Sequence, residues 1–307
     1  MSIEWSGQEN MSKENSMANV GFIGLGEMGG PIVGRLLAAG HDVTIWGRNV
    51  ARVKSSLDKG AAQAISPATL TEAVDMVMIC VTDTDAVEQV VFGPDGIAQA
   101  ASSDKLLVDH STIHPLRTRE WAEKLRAETG MGWLDAPVSG GPAGAEAGTL
   151  AVMAGGGEAD FARAAPVIEA YAGQLTHMGP NGAGQASKAC NQMIIGAEVA
   201  IIAEAMNFLH KFDVDAQKLP DCLKGGWADS TVLQVHGRRM AAADYENIGS
   251  TYIMTKDMNI ACEMGRETGS AMPVGNLVQS LYQLLNAQGG DDKGQIGLMW
   301  LYQQEAL

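Results

Sequence analysis

Short apolar runs alternate with longer amphipathic stretches through the first 180 residues of the chain. The short runs have the length and composition of buried strands, and the stretches between them have helical spacing and capping residues. This alternation is typical of an α/β fold with a parallel, doubly wound sheet. Strands are predicted at residues 20–23, 43–46, 76–81, 106–109, 133–134 and within 148–157, and helices at 30–39, 67–73, 86–91, 115–128 and 161–171.

The second part of the chain lacks this alternation and begins with one long apolar run. Residues 193–209 are apolar except for a few positions such as Glu198 and Glu204, which is the pattern of a helix buried on most sides. With the polar segment before it, this helix would span residues 183–211, roughly 40 Å. A membrane-spanning helix is the rival interpretation, and the two carboxylates argue against it. Further helices are predicted at 219–227, 252–265 and 274–287.

Three polar side chains share one face near the start of this long helix. Lys188, Asn191 and Gln192 are three and four positions apart, so their polar ends should converge. A structural role for the lysine is the simpler interpretation. However, a cation near a helix start is disfavoured by the helix dipole, and this mild cost favours a functional explanation.

A glycine motif follows the first predicted strand. Gly24-Leu25-Gly26-Glu27-Met28-Gly29 has the GxGxxG spacing, with Gly24 for the tight turn, Gly26 for approach to a pyrophosphate and Gly29 for close helix packing. The motif alone is weak, because a chain with 37 glycines produces chance matches. Here it lies between a predicted strand and a predicted helix, so we predict a dinucleotide site.

The end of the second strand indicates which dinucleotide is bound. An NAD site would place an acidic residue there, whereas this strand ends in Gly47-Arg48-Asn49. Arg48 can meet a 2′-phosphate, so NADP is favoured and NAD remains possible. The alternative is that Arg48 is a solvated loop residue. Thr82 and Thr112 follow later strands and are predicted to lie beside the cofactor, because ligands bind beyond the carboxyl ends of such strands.

Composition limits the other possibilities. A net charge of -15 and a pI near 4.7 argue against general binding to nucleic acid or to an anionic membrane. The four cysteines have no CxxC or CxxH spacing and the histidines do not cluster, so no metal site is predicted. Scattered cysteines and a polar segment 1–17 without a signal-peptide core favour a cytoplasmic protein with a loose N-terminal tail.

The segment Asp135-Ala136-Pro137-Val138-Ser139-Gly140-Gly141-Pro142 follows a further strand, and its Ser-Gly-Gly turn can form an anion-binding concavity or a plain tight turn. At this point the chain resembles the β-hydroxyacid dehydrogenase family, which contains 3-hydroxyisobutyrate dehydrogenase and tartronate semialdehyde reductase. Four motifs match in order: GLGEMG at Gly24, DAPVSGGPAGAEAGTL at Asp135, GAGQASKACNQ at Gly182 and TKDMNIA at Thr255.

The resemblance implies a Rossmann domain at residues 18–181 and an all-helical domain at 182–307 that begins with the long central helix. It implies that Lys188 is catalytic and that Ser139, Gly140 and Gly141 hold the substrate carboxylate. Asn191 or Gln192 would assist as a second substrate contact. Thr112 would lie near the nicotinamide, Lys256 near the cofactor, and Asp257 would support the site.

The favoured function is an NAD(P)-dependent oxidoreductase for a small anionic 3-hydroxy acid or its semialdehyde, with Lys188 as general acid and base. Burial in an apolar helix would lower the pKa of this lysine, whereas a nearby phosphate or substrate carboxylate would raise it, and the sequence leaves this balance open. An imine reductase is one alternative, although such enzymes typically lack the lysine. A non-catalytic cofactor-binding module is the other, although its motifs would be expected to degrade. A homodimer or homotetramer is expected.

Overall fold

The computed structural model of the protein describes residues 17–246 and 250–304, so the predicted tail at 1–17 lies almost wholly outside the described residues. Within these residues, nine strands form one sheet: β1 (Asn19–Ile23), β2 (Asp42–Trp46), β3 (Ala62–Gln63), β4 (Met76–Ile79), β5 (Leu106–Asp109), β6 (Gly132–Asp135), β7 (Val138–Ser139), β8 (Leu150–Gly155) and β9 (Ala172–Gly179). The helices between the strands are α1 (Gly29–Ala38), α2 (Val50–Leu57), α3 (Pro67–Ala73), α4 (Thr84–Phe92), α5 (Pro115–Thr129), α6 (Gly141–Ala147) and α7 (Glu158–Ile168).

The sheet has the doubly wound order β3-β2-β1-β4-β5-β6, with parallel pairing throughout this part. The chain moves outward from β1 to β3 and then returns to place β4 on the other side of β1. The crevice beyond the carboxyl ends of β1 and β4 is therefore the topological switch point, where such sheets bind their ligands. Ser66 caps α3 in a reciprocal capping box, in which its side chain accepts from the Thr69 amide and the Thr69 side chain accepts from the Ser66 amide.

The predicted doubly wound sheet is confirmed as mostly parallel, but the parallel pairing does not continue at its far edge. β8 runs antiparallel to both β6 and β7, and β9 pairs with β8. The Ser-Gly-Gly turn and the short helix α6 reverse the chain between β7 and β8. β9 was not predicted, because its side chains are mostly exposed or half-buried and it contains no continuous apolar run.

Alternating side chains of the strands fill two cores, one on each face of the sheet. Phe22 and Met78 point to the face covered by α1 and α7, whereas Ile23 and Ile79 point to the face covered by α3, α4 and α5. Successive residues of a strand face opposite sides, so a strand buried on both faces is continuously apolar. This explains why the short apolar runs of the sequence located these strands.

The long central helix, α8 (Ala183–Lys211), has the predicted bounds. Its first turns pack on β8 and β9, and its later turns pack against the C-terminal helices around a third core. Within the described chain, α8 alone is long and apolar enough to cross a membrane by length and composition. The remaining helices are α9 (Leu219–Leu223), α10 (Arg238–Ala241), α11 (Thr251–Thr268), α12 (Pro273–Ala287) and α13 (Leu298–Gln303).

Candidate active site

The glycine loop between β1 and α1 has the shape that a bound pyrophosphate requires. Gly24 has a φ of 98°, and a Cβ there would lie 2.2 Å from the Cys80 carbonyl oxygen. A Cβ on Gly29 would lie 1.9 Å from the Gly24 carbonyl oxygen, so α1 can approach the loop only without a side chain here. A Cβ on Gly26 would instead meet nothing nearer than Arg52 Nη1, at 3.8 Å, among described residues outside its chain neighbours. The open side of Gly26 therefore leaves room for a phosphate, and the loop fits a dinucleotide.

The other loop residues have distinct surroundings. Leu25 is buried in the core beneath the loop, whereas Glu27 is exposed. Met28 precedes α1, and no side-chain cap accepts the first amides of this helix within the described chain. Helix N-termini of this kind bind phosphate through their amide groups and dipole.

Two arginines lie beside the loop at the end of β2. Arg48 is exposed, as its proposed role requires. Asn49 caps α2, because its side chain accepts a hydrogen bond from the Arg52 amide at 3.0 Å. The Arg52 guanidinium lies near the open side of Gly26. The sequence analysis missed Arg52, which a search of the first turn of α2 for a second cation would have found.

The ends of β4 and β5 are joined to each other and to the helical domain. Ser111 Oγ accepts from the Val81 amide at 3.0 Å, which ties the two strand ends together. Thr82 is exposed nearby, at the carboxyl edge of the sheet. The Thr112 carbonyl accepts from Lys256 Nζ at 2.6 Å, although these residues are 144 positions apart. Lys256 therefore connects α11 to the loop after β5.

The start of α8 is fixed by two buried side chains. Asp135, at the end of β6, accepts from the Gly182 amide at 2.8 Å and from the Gln185 amide at 3.0 Å. The Gln185 side chain donates to the Ser111 carbonyl at 2.7 Å and accepts from the Ile113 amide at 3.1 Å. Desolvation raises the pKa of Asp135 to about 6, despite these two hydrogen bonds. The sequence analysis gave neither residue this role, although Gln185 lies one turn before Lys188 on the same face.

Lys188 lies in a nearly dry environment. It is 7% exposed, and its Nζ donates to Gln192 Oε1 at 3.2 Å. Burial lowers the pKa of Lys188 to about 8, Asp257 opposes this shift by favouring the ammonium, and Lys256 reinforces it by repulsion. An amine with such a pKa can both donate and accept a proton near neutral pH.

The three polar residues predicted to share one face of α8 are brought together with two distant segments. Asn191 Nδ2 donates to Gln192 Oε1 at 3.0 Å, and Ser139 Oγ donates to Asn191 Oδ1 at 3.4 Å. Gln192 Nε2 donates to Asp257 Oδ2 at 2.7 Å. The Ser-Gly-Gly turn and α11 therefore meet at the side chains of α8.

Both glycines of the Ser-Gly-Gly turn have positive φ values. Gly140 has a φ of 129° and Gly141 a φ of 63°, which other residues rarely adopt. Both glycines are exposed, and a Cβ on Gly141 would have no heavy atom within 4 Å apart from its chain neighbours in the described structure. The turn therefore presents its backbone to open space beside Asn191.

Two buried groups at the end of β5 are structural. His110 donates from Nδ1 to the Ala136 carbonyl at 2.7 Å and accepts at Nε2 from the Tyr171 hydroxyl at 2.8 Å. Desolvation lowers the pKa of His110 to about 4, so the ring is neutral and fully engaged. Desolvation also raises the pKa of Asp109 to about 7, and its Oδ1 accepts from the Ser111 amide at 2.8 Å.

One group of potential metal ligands occurs among the described residues. His114, Glu263 and Glu267 place ligand atoms within 4.8 Å of one another. However, His114 Nδ1 accepts from the Leu116 amide at 3.3 Å, so the proton of the neutral ring lies on Nε2, 3.4 Å from the Glu267 carboxylate. This contact brings α11 close to the loop before α5 but lacks hydrogen-bond geometry, and a metal ion could bind Nε2 only after displacing that proton. The absence of a metal remains a prediction.

Family models match both parts of the chain. The model for the NAD binding domain of 6-phosphogluconate dehydrogenase matches residues 19–179, and the model for the NAD-binding region of NADP-dependent 3-hydroxyisobutyrate dehydrogenase matches residues 182–302. Together they cover both the sheet domain and the helical domain.

Several known proteins are similar to this chain over nearly their whole length. The 2-hydroxy-3-oxopropionate reductase of Escherichia coli is 37% identical over 88% of this chain and 92% of its own. The 3-hydroxyisobutyrate dehydrogenase of Pseudomonas aeruginosa is 35% identical over 87% of this chain and 92% of its own. The structure of Mycobacterium tuberculosis 3-hydroxyisobutyrate dehydrogenase with L-serine superposes with a TM-score of 0.83, at 32% identity over 93% of this chain and 99% of that chain.

Proposed function

Because the chain belongs to the β-hydroxyacid dehydrogenase family of NAD(P)-dependent oxidoreductases, we propose that it reduces a small semialdehyde, or oxidises the corresponding 3-hydroxy acid, with NADP as cofactor. The observation that carries this proposal is the buried Lys188, whose pKa is lowered to about 8 and whose side chain lies in one hydrogen-bonded group with the Ser-Gly-Gly turn. The Rossmann domain would hold the cofactor, and α8 would supply the proton.

Lys188 acts as the general acid in reduction and as the general base in oxidation. The reduced nicotinamide supplies the hydride when it is bound. As the carbonyl carbon becomes a carbinol, its oxygen takes a proton from the Lys188 ammonium; in the reverse direction the neutral amine accepts that proton. The low exposure of Lys188 excludes water and keeps the two protonation states close in free energy at neutral pH.

The substrate carboxylate is held by Ser139, Gly140 and Gly141. The positive φ values of the two glycines turn backbone amides toward open space, and such turns bind anions. Asn191 extends this site, because its amide touches Ser139. Gln192 is buried between Lys188 and Asp257, whereas Asn191 is half-buried, which favours Asn191 as the second substrate contact. The L-serine that accompanies the M. tuberculosis enzyme is itself a 3-hydroxy acid, which supports this substrate class.

NADP is favoured over NAD by the two cations at the end of β2. Residues 24–29 hold the pyrophosphate, with Thr82, Thr112 and Lys256 lining the nicotinamide side. Arg48 and Asn49 form the part of the site that holds the adenosine of the cofactor. No carboxylate follows β2 directly there, and Arg52 adds a second positive charge. Arginine pairs well with a 2′-phosphate.

The protein is proposed to be a cytoplasmic homodimer or homotetramer. Exposed apolar side chains recur at two-turn spacing along one face of α8, at Ile194, Ile201 and Phe208, with Phe212 beyond them. An exposed apolar stripe on a helix that also forms the core is suited to packing against a second copy of the chain. All four cysteines are free thiols, which fits a reducing compartment. Light scattering that gave only a 32.3 kDa particle would contradict the oligomer.

The proposal is tested by following the absorbance of the reduced nicotinamide. NADPH and NADH are offered separately with a panel of semialdehydes that includes the tartronate and methylmalonate forms. We expect NADPH oxidation with at least one of them. Turnover of cyclic imines alone would replace the proposal with an imine reductase, and tight cofactor binding without any turnover would favour a non-catalytic module.

A further inference from the structure

The side chains around Lys188 form a hydrogen-bond chain in which every donor points toward one carboxylate. Ser139 donates to Asn191, Asn191 donates to Gln192, and Gln192 donates to Asp257. Lys188 joins the chain at Gln192 Oε1. Asp257 is 2% exposed and accepts from the Gln192 amide at 2.7 Å, while its other oxygen lies 2.9 Å from Lys256 Nζ.

The donor and acceptor chemistry fixes the orientation of the Gln192 amide. An ionised carboxylate can only accept, so the Gln192 amide group that faces Asp257 must be Nε2. The carbonyl oxygen Oε1 then has to point to the opposite side, where Lys188 and Asn191 both donate to it. A flipped Gln192 would place its NH₂ against two donors and its carbonyl oxygen against a carboxylate.

We propose that Asp257 is a positioning residue that acts through Gln192. The oriented Gln192 accepts one N–H of Lys188, so that the remaining face of the Lys188 amine meets the substrate. This inference rests on the proposed function. Both the ammonium and the neutral amine can donate one hydrogen bond to Gln192 Oε1. The lysine therefore keeps one orientation in both protonation states. When the amine is neutral, its lone pair points away from Gln192 and is available to the substrate hydroxyl.

The charge of Asp257 also contributes to the balance at Lys188. The charged groups that face Lys188 in the described structure are both on α11: Asp257 favours the ammonium and Lys256 disfavours it. Lys256 is itself held by the Thr112 carbonyl at 2.6 Å. The Asp257 carboxylate thus orients Gln192, forms an ion pair with Lys256 and limits how far burial lowers the pKa of Lys188.

The test is a pair of variants that first break and then restore the match of donors and acceptors. In Asp257→Asn, the new NH₂ faces Lys256, or two amide NH₂ groups face each other, or Gln192 flips and turns its own NH₂ toward the Lys188 ammonium, so donors meet in each arrangement. The second variant combines Asp257→Asn with Gln192→Glu. There the carbonyl oxygen of the introduced asparagine can accept from Lys256, while its NH₂ donates to the introduced glutamate. That glutamate in turn accepts from Lys188 and Asn191, as the native glutamine does.

We expect Asp257→Asn to lower kcat by about a hundredfold with a smaller effect on KM, and the double variant to recover most of this loss. The pKa of Lys188 is read separately, from pH-dependent acetylation of each lysine followed by mass spectrometry, which needs no substrate. It should fall in Asp257→Asn and rise above the wild-type value in the double variant, where the charge moves next to the amine.

Two results would overturn the proposal. One is a double variant that is folded, by its melting temperature, and no more active than Asp257→Asn. The other is an unchanged Lys188 pKa in both variants. If the wild type turns over no substrate on the panel while these pKa shifts occur, the proposed function fails and the orienting chain stands.

Discussion

The two ends of the candidate site are built in different ways. The proposed cofactor end, where the pyrophosphate and adenosine would bind, consists of one continuous segment, the glycine loop, with Arg48 and Arg52 a short distance along the chain. The proton-transfer end joins β7, α8 and α11, through contacts such as that between Gln192 and Asp257, which are 65 positions apart. A local motif can fix backbone shape by itself, whereas the protonation state of a buried lysine depends on groups that only the tertiary fold brings together. Substitutions at the two ends should therefore separate cofactor binding from catalysis.

The largest effect is expected from Lys188→Met at the proton-transfer end. We expect kcat to fall by about a hundredfold to ten-thousandfold, because general acid–base catalysis is lost. The dissociation constant of NADPH, measured by fluorescence titration, should hardly change. Lys211→Met is the matched control, since it removes an exposed lysine from the far end of the same helix. Full turnover by Lys188→Met would refute its assignment as acid and base.

At the cofactor end, Gly26→Ala should weaken NADPH binding by about a hundredfold, because its methyl group would enter the space reserved for the pyrophosphate. The melting temperature should remain close to that of the wild type, since the nearest described atom to the new Cβ, outside its chain neighbours, lies 3.8 Å away. Gly34→Ala in α1 is the control, because it has similar space around it and no role at the loop. Equal binding by the two variants would show that the loop does not approach the cofactor.

Arg48→Ala and Arg52→Ala should each weaken NADPH binding about tenfold and leave NADH binding nearly unchanged, because a charge-assisted hydrogen bond to phosphate contributes about 1.5–3 kcal/mol. Lys54→Ala is the control, since this exposed lysine of α2 is paired with Asp58. Equal losses for both cofactors would indicate that the arginines bind the pyrophosphate, and no loss would leave NAD as the natural cofactor.

The smallest effect on cofactor binding is expected from Asp135→Ala, because Asp135 supports the start of α8 and belongs to neither end of the site. It removes the acceptor of two buried amides at the start of α8, so the free energy of unfolding should fall by about 2 kcal/mol in urea. The exposed Asp42→Ala should cost much less. If Asp135→Ala is as stable as the wild type, α8 is positioned by packing alone.

The comparison of the two ends also explains how far the sequence could predict this molecule. Strands buried on both faces, such as β4 and β5, were located because they are continuously apolar, and α8 because its apolar run is long. β9 was missed because a half-exposed strand leaves no such signal, and the antiparallel direction of β8 was missed because an apolar run does not show which way its strand pairs. Helical spacing placed Lys188, Asn191 and Gln192 together correctly. The capping of α8 by Asp135 and the direction of the hydrogen bonds toward Asp257 could not be predicted, since they depend on contacts between distant segments.

The most direct test of Lys188 as acid and base is the pH dependence of both reaction directions with the wild-type enzyme. The pKa of Lys188 is lowered to about 8, so the ammonium predominates below this pH and the neutral amine above it. The rate of semialdehyde reduction should therefore decline as the pH rises through about 8, and the rate of hydroxy acid oxidation should increase through the same range. Opposite trends with one shared midpoint would support the assignment. Two rates that are flat through this range, or that change in the same direction, would contradict it.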